Sequence, residues 1–123
     1  MIFVDTSSLQ RYLAGFLGRD TKAVADAIAG HEAYLPPMVV TEALSNQFLS
    51  EDGASRIQAL PMIDLLDDYW IRAGKMRAKL LRQQRKAKLG DALIAQVCLD
   101  YGAPLITHNG DFDNFVDLGL KLV

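Results

Sequence analysis

Short apolar runs alternate with longer amphipathic segments along this chain, and the alternation predicts strands followed by helices. The first run, Ile2–Val4, has the length of a short buried strand. Residues 33–35 predict a second strand that two prolines stop, and residues 104–107 predict a third. Weaker signals of the same kind predict a short strand over residues 62–63 and an edge strand over residues 120–123.

Between these runs, apolar residues recur at helical spacing and predict six helices. Ser7 or Ser8 is the expected N-cap of the first helix, and Asp20 is the expected N-cap of the second. The two prolines after the second strand suit the entry of a third helix, which would run to about residues 51–53. The other helices are predicted over residues 54–59, 66–85 and 90–102.

Strands that alternate with helices are typical of the α/β class. We therefore predict a three-layer α/β/α domain with a mainly parallel central sheet. The 123 residues, half of them apolar, suffice for one domain with an ordinary core. No repeat, linker or low-complexity segment interrupts the chain, so a single domain is expected over residues 1–123.

Cysteine content and hydropathy indicate the cellular compartment of the protein. Cys98 is the only cysteine, so neither a disulfide framework nor a cysteine-based zinc site is available. No apolar run approaches the ~20 residues that a membrane span needs, and the N-terminus lacks a basic segment leading into a signal core. We expect a soluble, cytoplasmic protein with no membrane partner.

The net charge of −2 conceals a basic segment between residues 72 and 88, which holds eight of the thirteen lysines and arginines and no acid. Five of these residues are spaced three and four apart and would share one helix face, and we name them the basic stripe: Arg72, Lys75, Lys79, Arg82 and Lys86. Most charged faces are simply solvated, but they usually mix signs. The basic stripe is therefore predicted to contact nucleic acid phosphates or, alternatively, an acidic segment of a protein partner.

Acidic residues stand at four comparable places, directly after predicted strands or at the start of predicted helices: Asp5, Glu42, Asp91 and Asp111. Because ligands bind at the carboxyl ends of parallel strands, we expect these carboxylates to converge in one anionic pocket. Crowded carboxylates repel each other, and a divalent cation relieves that repulsion. The pattern predicts a metal-dependent site.

Each acid taken alone also has a simpler interpretation. Asp91 would serve as a helix N-cap, Asp111 as a turn residue, and Glu42 as a first-turn glutamate favoured by the helix dipole. Asp5 is different, because it follows a strand expected to be buried and no nearby basic residue offers it a partner. An unpaired buried carboxylate is strongly destabilising, so Asp5 requires a ligand or a donor.

Together, these acids and their neighbours resemble the PIN-domain ribonucleases, most closely the VapC toxins of bacterial and archaeal toxin–antitoxin pairs. The resemblance covers nearly the full length of the chain. Its motifs are Asp5-Thr6-Ser7, Thr41-Glu42, and the segments over residues 91–95 and 105–112.

The resemblance implies a metal-dependent endoribonuclease. Its acidic quartet, which would hold Mg²⁺ or Mn²⁺, is Asp5, Glu42, Asp91 and Asp111. The polar supports of that quartet would be Ser7, Thr107 and Asn109. The implied partners are an RNA substrate, a cognate VapB-like antitoxin and a second copy of the chain in a homodimer.

One position departs from the family pattern. Many members place the last acid three residues after the asparagine of the Thr-x-Asn motif, whereas Asp111 comes two residues after Asn109 and Asp113 comes four after it. Asp111 is the expected fourth acid, and Asp113 is the alternative.

Two functional alternatives stay open on the sequence. A PIN-fold nuclease in RNA processing or DNA cleavage would carry nearly the same motifs. A non-enzymatic, receiver-like signalling module would also place an acid after its first strand, although Asp5 lacks the adjacent second acid expected there.

Overall fold

The computed structural model describes residues 1–123 and contains three strands, six α-helices and a 3₁₀ segment. The strands are β1 (Ile2–Val4), β2 (Ala33–Tyr34) and β3 (Leu105–Ile106). The helices are α1 (Thr6–Leu13), α2 (Arg19–Ala29), α3 (Pro37–Leu44), α4 (Glu51–Ala59), α5 (Tyr69–Arg82) and α6 (Leu89–Tyr101), and the 3₁₀ segment covers Gly110–Leu118. None of the helices is both long and apolar enough to cross a membrane.

The sheet is parallel, with the strand order β2-β1-β3, and helices flank it. The predicted α/β class with a parallel central sheet is confirmed. The strands predicted over residues 62–63 and 120–123 are reduced to single parallel bridges, Leu35 with Met62 and Leu105 with Leu122. Their partners β2 and β3 have only two residues each, so there is little strand for a fourth or fifth member to pair with.

The core lies where the short strands meet the helices. Twenty-five buried apolar residues form one cluster that extends from Phe3 in β1 to Leu120 near the end of the chain. In this cluster α1 packs against α2 and α3, α5 packs against α6, and α3 also contacts α6. The contact between α3 and α6 matters for function, because each of these helices carries an acid of the acidic quartet.

The first helix begins earlier than predicted. Asp5 occupies its N-cap position, in place of the predicted Ser7 or Ser8. The two serines lie inside the helix, where their hydroxyls are engaged elsewhere: Ser7 Oγ donates to Asp5 Oδ2 at 2.7 Å, and Ser8 Oγ donates to Asp20 Oδ2 at 2.8 Å. A local bond to Asp5 and a tertiary bond to Asp20 thus replace the capping that the sequence predicted for these serines.

Asp20 is not the N-cap of the second helix either. The cap position belongs to Gly18, whose N–H donates to Thr21 Oγ1 at 2.9 Å. The Asp20 carboxylate instead accepts hydrogen bonds from Ser8 and from Arg11 Nε, the latter at 3.1 Å. Asp20 therefore joins α2 to α1 rather than opening α2.

The third helix is shorter than predicted and ends at Leu44. Asn46 Oδ1 accepts the Phe48 N–H at 3.1 Å, a local side-chain turn that competes with helix continuation. Residues 51–53 belong to α4, whose N-cap Ser50 accepts the Gly53 N–H at 3.0 Å. Phe48, expected on an apolar helix face, is instead 86% exposed in the connection.

Helix α5 spans Tyr69–Arg82, three residues shorter at each end than predicted. A left-handed residue lies beyond each end, Asp68 with φ 59° and Gln84 with φ 57°, and neither conformation continues a right-handed helix. Lys86, predicted as part of the basic stripe, therefore lies beyond the helix in the connection to α6.

Arg72, the first member of the basic stripe, is used inside the structure. Its guanidinium pairs with both carboxylate oxygens of Asp100 on α6, with Nη2 at 2.8 Å from Oδ2, and it also donates to the Asp67 carbonyl at 3.0 Å. Gln96 Nε2 donates to the same carboxylate at 2.9 Å. This bidentate pair joins α5 to α6 and leaves Arg72 little capacity for nucleic acid.

We expect Arg72→Ala to lower the free energy of unfolding by about 3 kcal/mol, because Asp100 would keep a buried charge without its cationic partner. The Asp100 side chain is only 7% exposed. Urea denaturation measures the change, and Lys75→Ala on the same helix is the matched control, expected within about 0.5 kcal/mol of wild type. Equal stability of Arg72→Ala and wild type would contradict this account.

Candidate active site

The register of β1 against β3 builds the centre of the site. Val4 pairs with Ile106, so the residues that follow them, Asp5 and Thr107, leave the sheet side by side. Thr107 Oγ1 donates to Asp5 Oδ2 at 2.8 Å, and Ser7 Oγ donates to the same oxygen. Asp5 is only 4% exposed. Its two hydroxyl donors stabilise the buried charge and leave Oδ1 available as a ligand.

A chain of hydrogen bonds continues from Thr107 to the fourth acid. The Asn109 N–H donates to Thr107 Oγ1 at 3.0 Å, and the Asp111 N–H donates to Asn109 Oδ1 at 3.0 Å. The side chain of Thr107 thereby binds the backbone of Asn109, and the side chain of Asn109 binds the backbone of Asp111. The Thr-x-Asn spacing therefore positions Asp111 through two successive hydrogen bonds, the first accepted by Thr107 and the second by Asn109.

Glu42 reaches the site from α3. The Thr6 hydroxyl donates to Glu42 Oε1 at 2.9 Å, which fixes the carboxylate at the start of α1. On the opposite side Glu42 lies against Gly90, where a Cβ would come within 3.9 Å of Oε2. Thr6 is a supporting residue that the sequence reasoning missed, although it stands between Asp5 and Ser7 in the first motif.

Asp91 lies in the first turn of α6 and is the least satisfied acid of the chain. Its Oδ2 is buried and has no hydrogen-bond partner. Burial is the main cause that raises the pKa of Asp91 above its ordinary value, and the charges of Asp5, Asp111 and Glu42 raise it further. All three other members of the acidic quartet are therefore close enough to act on Asp91.

Asp111, in the first turn of the 3₁₀ segment, is bound by two lysines. Lys86 Nζ lies 3.0 Å from its Oδ2, and Lys88 Nζ lies 3.5 Å from the same oxygen. The hydrogen bond from Lys86 is the main reason that the pKa of Asp111 lies below its ordinary value. Lys88 was missed by the sequence reasoning because it falls outside the helical spacing of the basic stripe.

Asp113, the alternative fourth acid, is placed differently. It is exposed and lines a cavity of about 450 Å³ together with Arg19, His108 and Thr107, and none of the other three acids of the quartet lines that cavity. Its charge is not among those that shift the pKa of Asp91. The structure thus brings Asp111, and not Asp113, to the other three acids.

The donor set fits a hard divalent cation. A buried carboxylate oxygen without a partner is costly unless an ion or a proton satisfies it, and Asp91 Oδ2 is such an atom. Carboxylate oxygens are the ligands that Mg²⁺ and Mn²⁺ prefer. In this conformation no three acidic, histidine or cysteine side chains enclose one point closely enough for an ion. Thr6 holds Glu42 through Oε1 and the two lysines hold Asp111 through Oδ2, so a bound ion would compete with these partners for the two oxygens.

The basic stripe divides into two groups in the structure. Arg72 is bound to Asp100, and Lys86 is bound to Asp111. The remaining three members are exposed on α5 and have no ion-pair or hydrogen-bond partner: Lys75, Lys79 and Arg82.

The sequence matches the PIN domain family over residues 2–118, so this chain belongs to the PIN-domain family. A receiver-like module is thereby ruled out. No curated protein gives a significant match to the chain.

Several solved structures share the fold. FitAcB from Neisseria gonorrhoeae is 15% identical with a TM-score of 0.73, over 99% of this chain and 96% of that chain. VapBC-1 from nontypeable Haemophilus influenzae is 23% identical with a TM-score of 0.73, over 100% and 97% of the two chains. VapC20 from Mycobacterium tuberculosis, described as a sarcin-ricin loop cleaving toxin, is 20% identical with a TM-score of 0.65, over 92% and 93%. The likeness to these three structures shows that the chain shares their fold.

The raised pKa of Asp91 predicts a pH-dependent penalty on folding. As the pH rises through the ordinary aspartate value of about 4, Asp91 ionises in the unfolded chain first, which destabilises the folded state. The penalty is complete above the folded-state pKa. Asp91→Asn removes it and should raise the melting temperature at neutral pH by about 4 °C, the response of a domain near this size to about 1 kcal/mol.

Circular dichroism melts in EDTA, from about pH 3 to about pH 8, measure this difference. The gain of Asp91→Asn over wild type should shrink towards zero at the acidic end. Asp113→Asn, which removes an exposed acid, is the control and should melt like wild type throughout. A neutral-pH melting temperature of Asp91→Asn below that of wild type would contradict the assignment of Asp91 as an electrostatically strained residue.

Proposed function

We propose that this PIN domain is a metal-dependent endoribonuclease that resembles the VapC toxins and is inhibited by a cognate antitoxin. One observation carries the proposal: carboxylates from the end of β1, from α3 and from the 3₁₀ segment lie near Asp91 on α6, whose buried Oδ2 has no protein partner. Such a convergence of like charge is destabilising for the fold, so its presence favours a role in binding a cation.

The residues present suit the chemistry of phosphodiester hydrolysis. Asp5, Glu42, Asp91 and Asp111 would hold Mg²⁺ or Mn²⁺, while the hydroxyls of Ser7 and Thr107 orient Asp5 and the Asn109 amide orients the Asp111 backbone. A bound ion of this kind supplies an activated water and stabilises charge on the leaving oxygen. No side chain need form a covalent intermediate, because water is the attacking group.

We expect purified protein to cleave RNA with Mg²⁺ or Mn²⁺ and to lose this activity in EDTA. Asp5→Asn and Asp91→Asn should each lower the cleavage rate at least about a hundredfold, because each removes a charged ligand from the acidic quartet. Cleavage mapping of total RNA measures the effect, with circular dichroism to confirm that each variant is folded.

Asp113→Asn provides the matched control for this experiment, since it removes an acid that lies outside the quartet and should leave cleavage unchanged. Full nuclease activity in either Asp5→Asn or Asp91→Asn would refute the proposal. Equal cleavage of RNA and of single-stranded DNA of the same sequence would favour the alternative, a PIN nuclease with a role outside toxin–antitoxin pairs.

The proposed antitoxin has apolar surface available for it. A cavity of about 350 Å³ opens between α1, α2 and α4 and is lined mostly by apolar side chains, among them Leu9, Leu13 and Ile28. Nearby, Leu17 is 96% exposed in the connection between α1 and α2. Exposed apolar groups of this kind are typical of surfaces that a partner covers. The FitAcB and VapBC-1 neighbours support a protein partner of the antitoxin class.

A homodimer is proposed on the family resemblance, with support from one surface. Trp70 and Ile71, at the start of α5, are both more than half exposed. Large aromatic and aliphatic side chains are enriched where protein surfaces associate.

The exposed part of the basic stripe is proposed to guide RNA. Lys75, Lys79 and Arg82 carry unpaired charge on α5, and the connection that follows this helix leads directly to Lys86 at the acidic quartet. Cations placed in this way position a phosphate backbone without reading its sequence.

We expect the triple substitution of Lys75, Lys79 and Arg82 by Ala to reduce the magnitude of the salt slope of RNA binding by about 2. The reason is that each lost phosphate contact on a single strand releases about 0.7 fewer counterions. Fluorescence anisotropy over a range of salt concentrations measures the slope, with Lys22→Ala as the control because Lys22 pairs with Asp26 on α2. An unchanged slope in the triple variant would exclude these residues from the RNA path.

A further inference from the structure

Two lysines share one carboxylate oxygen at the edge of the acidic quartet. Lys86 and Lys88 both lie against Asp111 Oδ2, at 3.0 and 3.5 Å. A single carboxylate needs only one cation, so one positive charge is in excess at this point. Both lysine side chains are more than half exposed, at 56% and 63%, and their ammonium groups remain accessible to a ligand.

Lys88 also stands close in sequence to a second acid of the quartet. It is the N-cap residue of α6, and Asp91 lies in the first turn of that helix. The backbone of Lys88 is therefore part of the element that carries Asp91.

The fold fixes the segment that carries these lysines. Arg85, next to Lys86, pairs with Asp117 at 2.7 Å and donates to the Asn114 carbonyl. Ala87, between the two lysines, is buried, and Arg77 Nε donates to its carbonyl oxygen at 2.8 Å. The backbone around the two lysines is thus anchored, which keeps both side chains within reach of Asp111.

Charge balance at a site with one divalent cation supports a role for the two lysines. The acidic quartet carries four negative charges, and one divalent cation neutralises two of them. Without further cations, an RNA phosphate would meet net repulsion at the site. The ammonium groups of Lys86 and Lys88 supply the two remaining positive charges.

We propose that Lys86 and Lys88 are substrate-positioning residues, which bind Asp111 in the free protein and exchange it for the non-bridging oxygens of an RNA phosphate. This inference rests on the proposed nuclease function. The exchange is energetically cheap, because exposed lysine–carboxylate pairs contribute little to stability. When the lysines turn to the phosphate, Asp111 is released as a ligand for the divalent cation. RNA and metal therefore assist each other's binding, as coupled ligands do.

The first test measures metal binding without RNA. Isothermal titration with Mn²⁺ compares wild type, the double variant Lys86→Gln/Lys88→Gln and the control Lys22→Gln. The double variant should bind Mn²⁺ about fivefold more tightly than wild type, because Asp111 no longer has an internal cation to release. The control should match wild type. Weaker or unchanged Mn²⁺ affinity in the double variant would overturn the exchange.

The second test measures cleavage of a short single-stranded RNA by the same proteins at saturating Mn²⁺. The double glutamine variant should lose about a hundredfold in kcat/KM although its metal site is filled. Lys86→Arg/Lys88→Arg, which keeps both charges, should recover most of that loss. A tighter metal site combined with poorer cleavage is a result that a merely structural role for the lysines would not produce.

The outcomes separate the two proposals. If wild type binds Mn²⁺ and cleaves RNA but the double glutamine variant behaves like wild type, the assignment of the lysines is wrong and the nuclease function stands. If wild type neither binds Mn²⁺ nor cleaves RNA, both proposals are wrong.

Discussion

The parallel pairing of β1 with β3 is the constraint on which the site depends. It is held by backbone bonds from Phe3 N–H to the Pro104 carbonyl and from Asp5 N–H to the Ile106 carbonyl, each 2.9 Å long. Because the side chains of a strand alternate between its faces, a shift of one residue in this register would turn Thr107 away from Asp5. The fully buried Phe3 and Leu105 oppose such a shift, so apolar packing in the sheet sets the geometry of a polar site.

The site itself works against the stability that the core provides. Four carboxylates lie together, and one of their oxygens is buried without a donor. The surrounding polar residues reduce this strain only in part: hydroxyls satisfy Asp5, one hydroxyl holds Glu42, and two lysines hold Asp111. Asp91 receives no such help from a hydrogen bond. An unsatisfied acid at the centre of a domain is typical of positions where a role in binding, and not a contribution to stability, accounts for the residue.

Sequence alone was sufficient for the order of the three strands and six helices, and it singled out four acids that the structure places near one another. The strand-then-helix pattern and the placement of acids after strands are consequences of short-range periodicity, which a sequence displays directly. Helix boundaries were less predictable. Ser8 and Asp20 each look like caps in isolation, but they bond to each other across α1 and α2, and no local pattern shows such a pairing.

The same limit applies to the basic stripe. Its spacing assumes that residues 72–86 form one helix. In the structure Arg72 pairs with Asp100, twenty-eight positions away, and the helix ends before Lys86. Lys88 reaches the site because of the path that the chain takes after α5. The helical periodicity of the sequence does not describe that path.

The hydrogen bond between Thr107 and Asp5 joins positions 102 apart in sequence, nearly the whole span of this chain. Consequently the proposed site cannot form in part of the chain. A segment that lacks β3 contains Asp5 but neither its threonine donor nor Asp111. The proposed activity therefore requires segments from both ends of the sequence, and a truncated product without β3 would lack it.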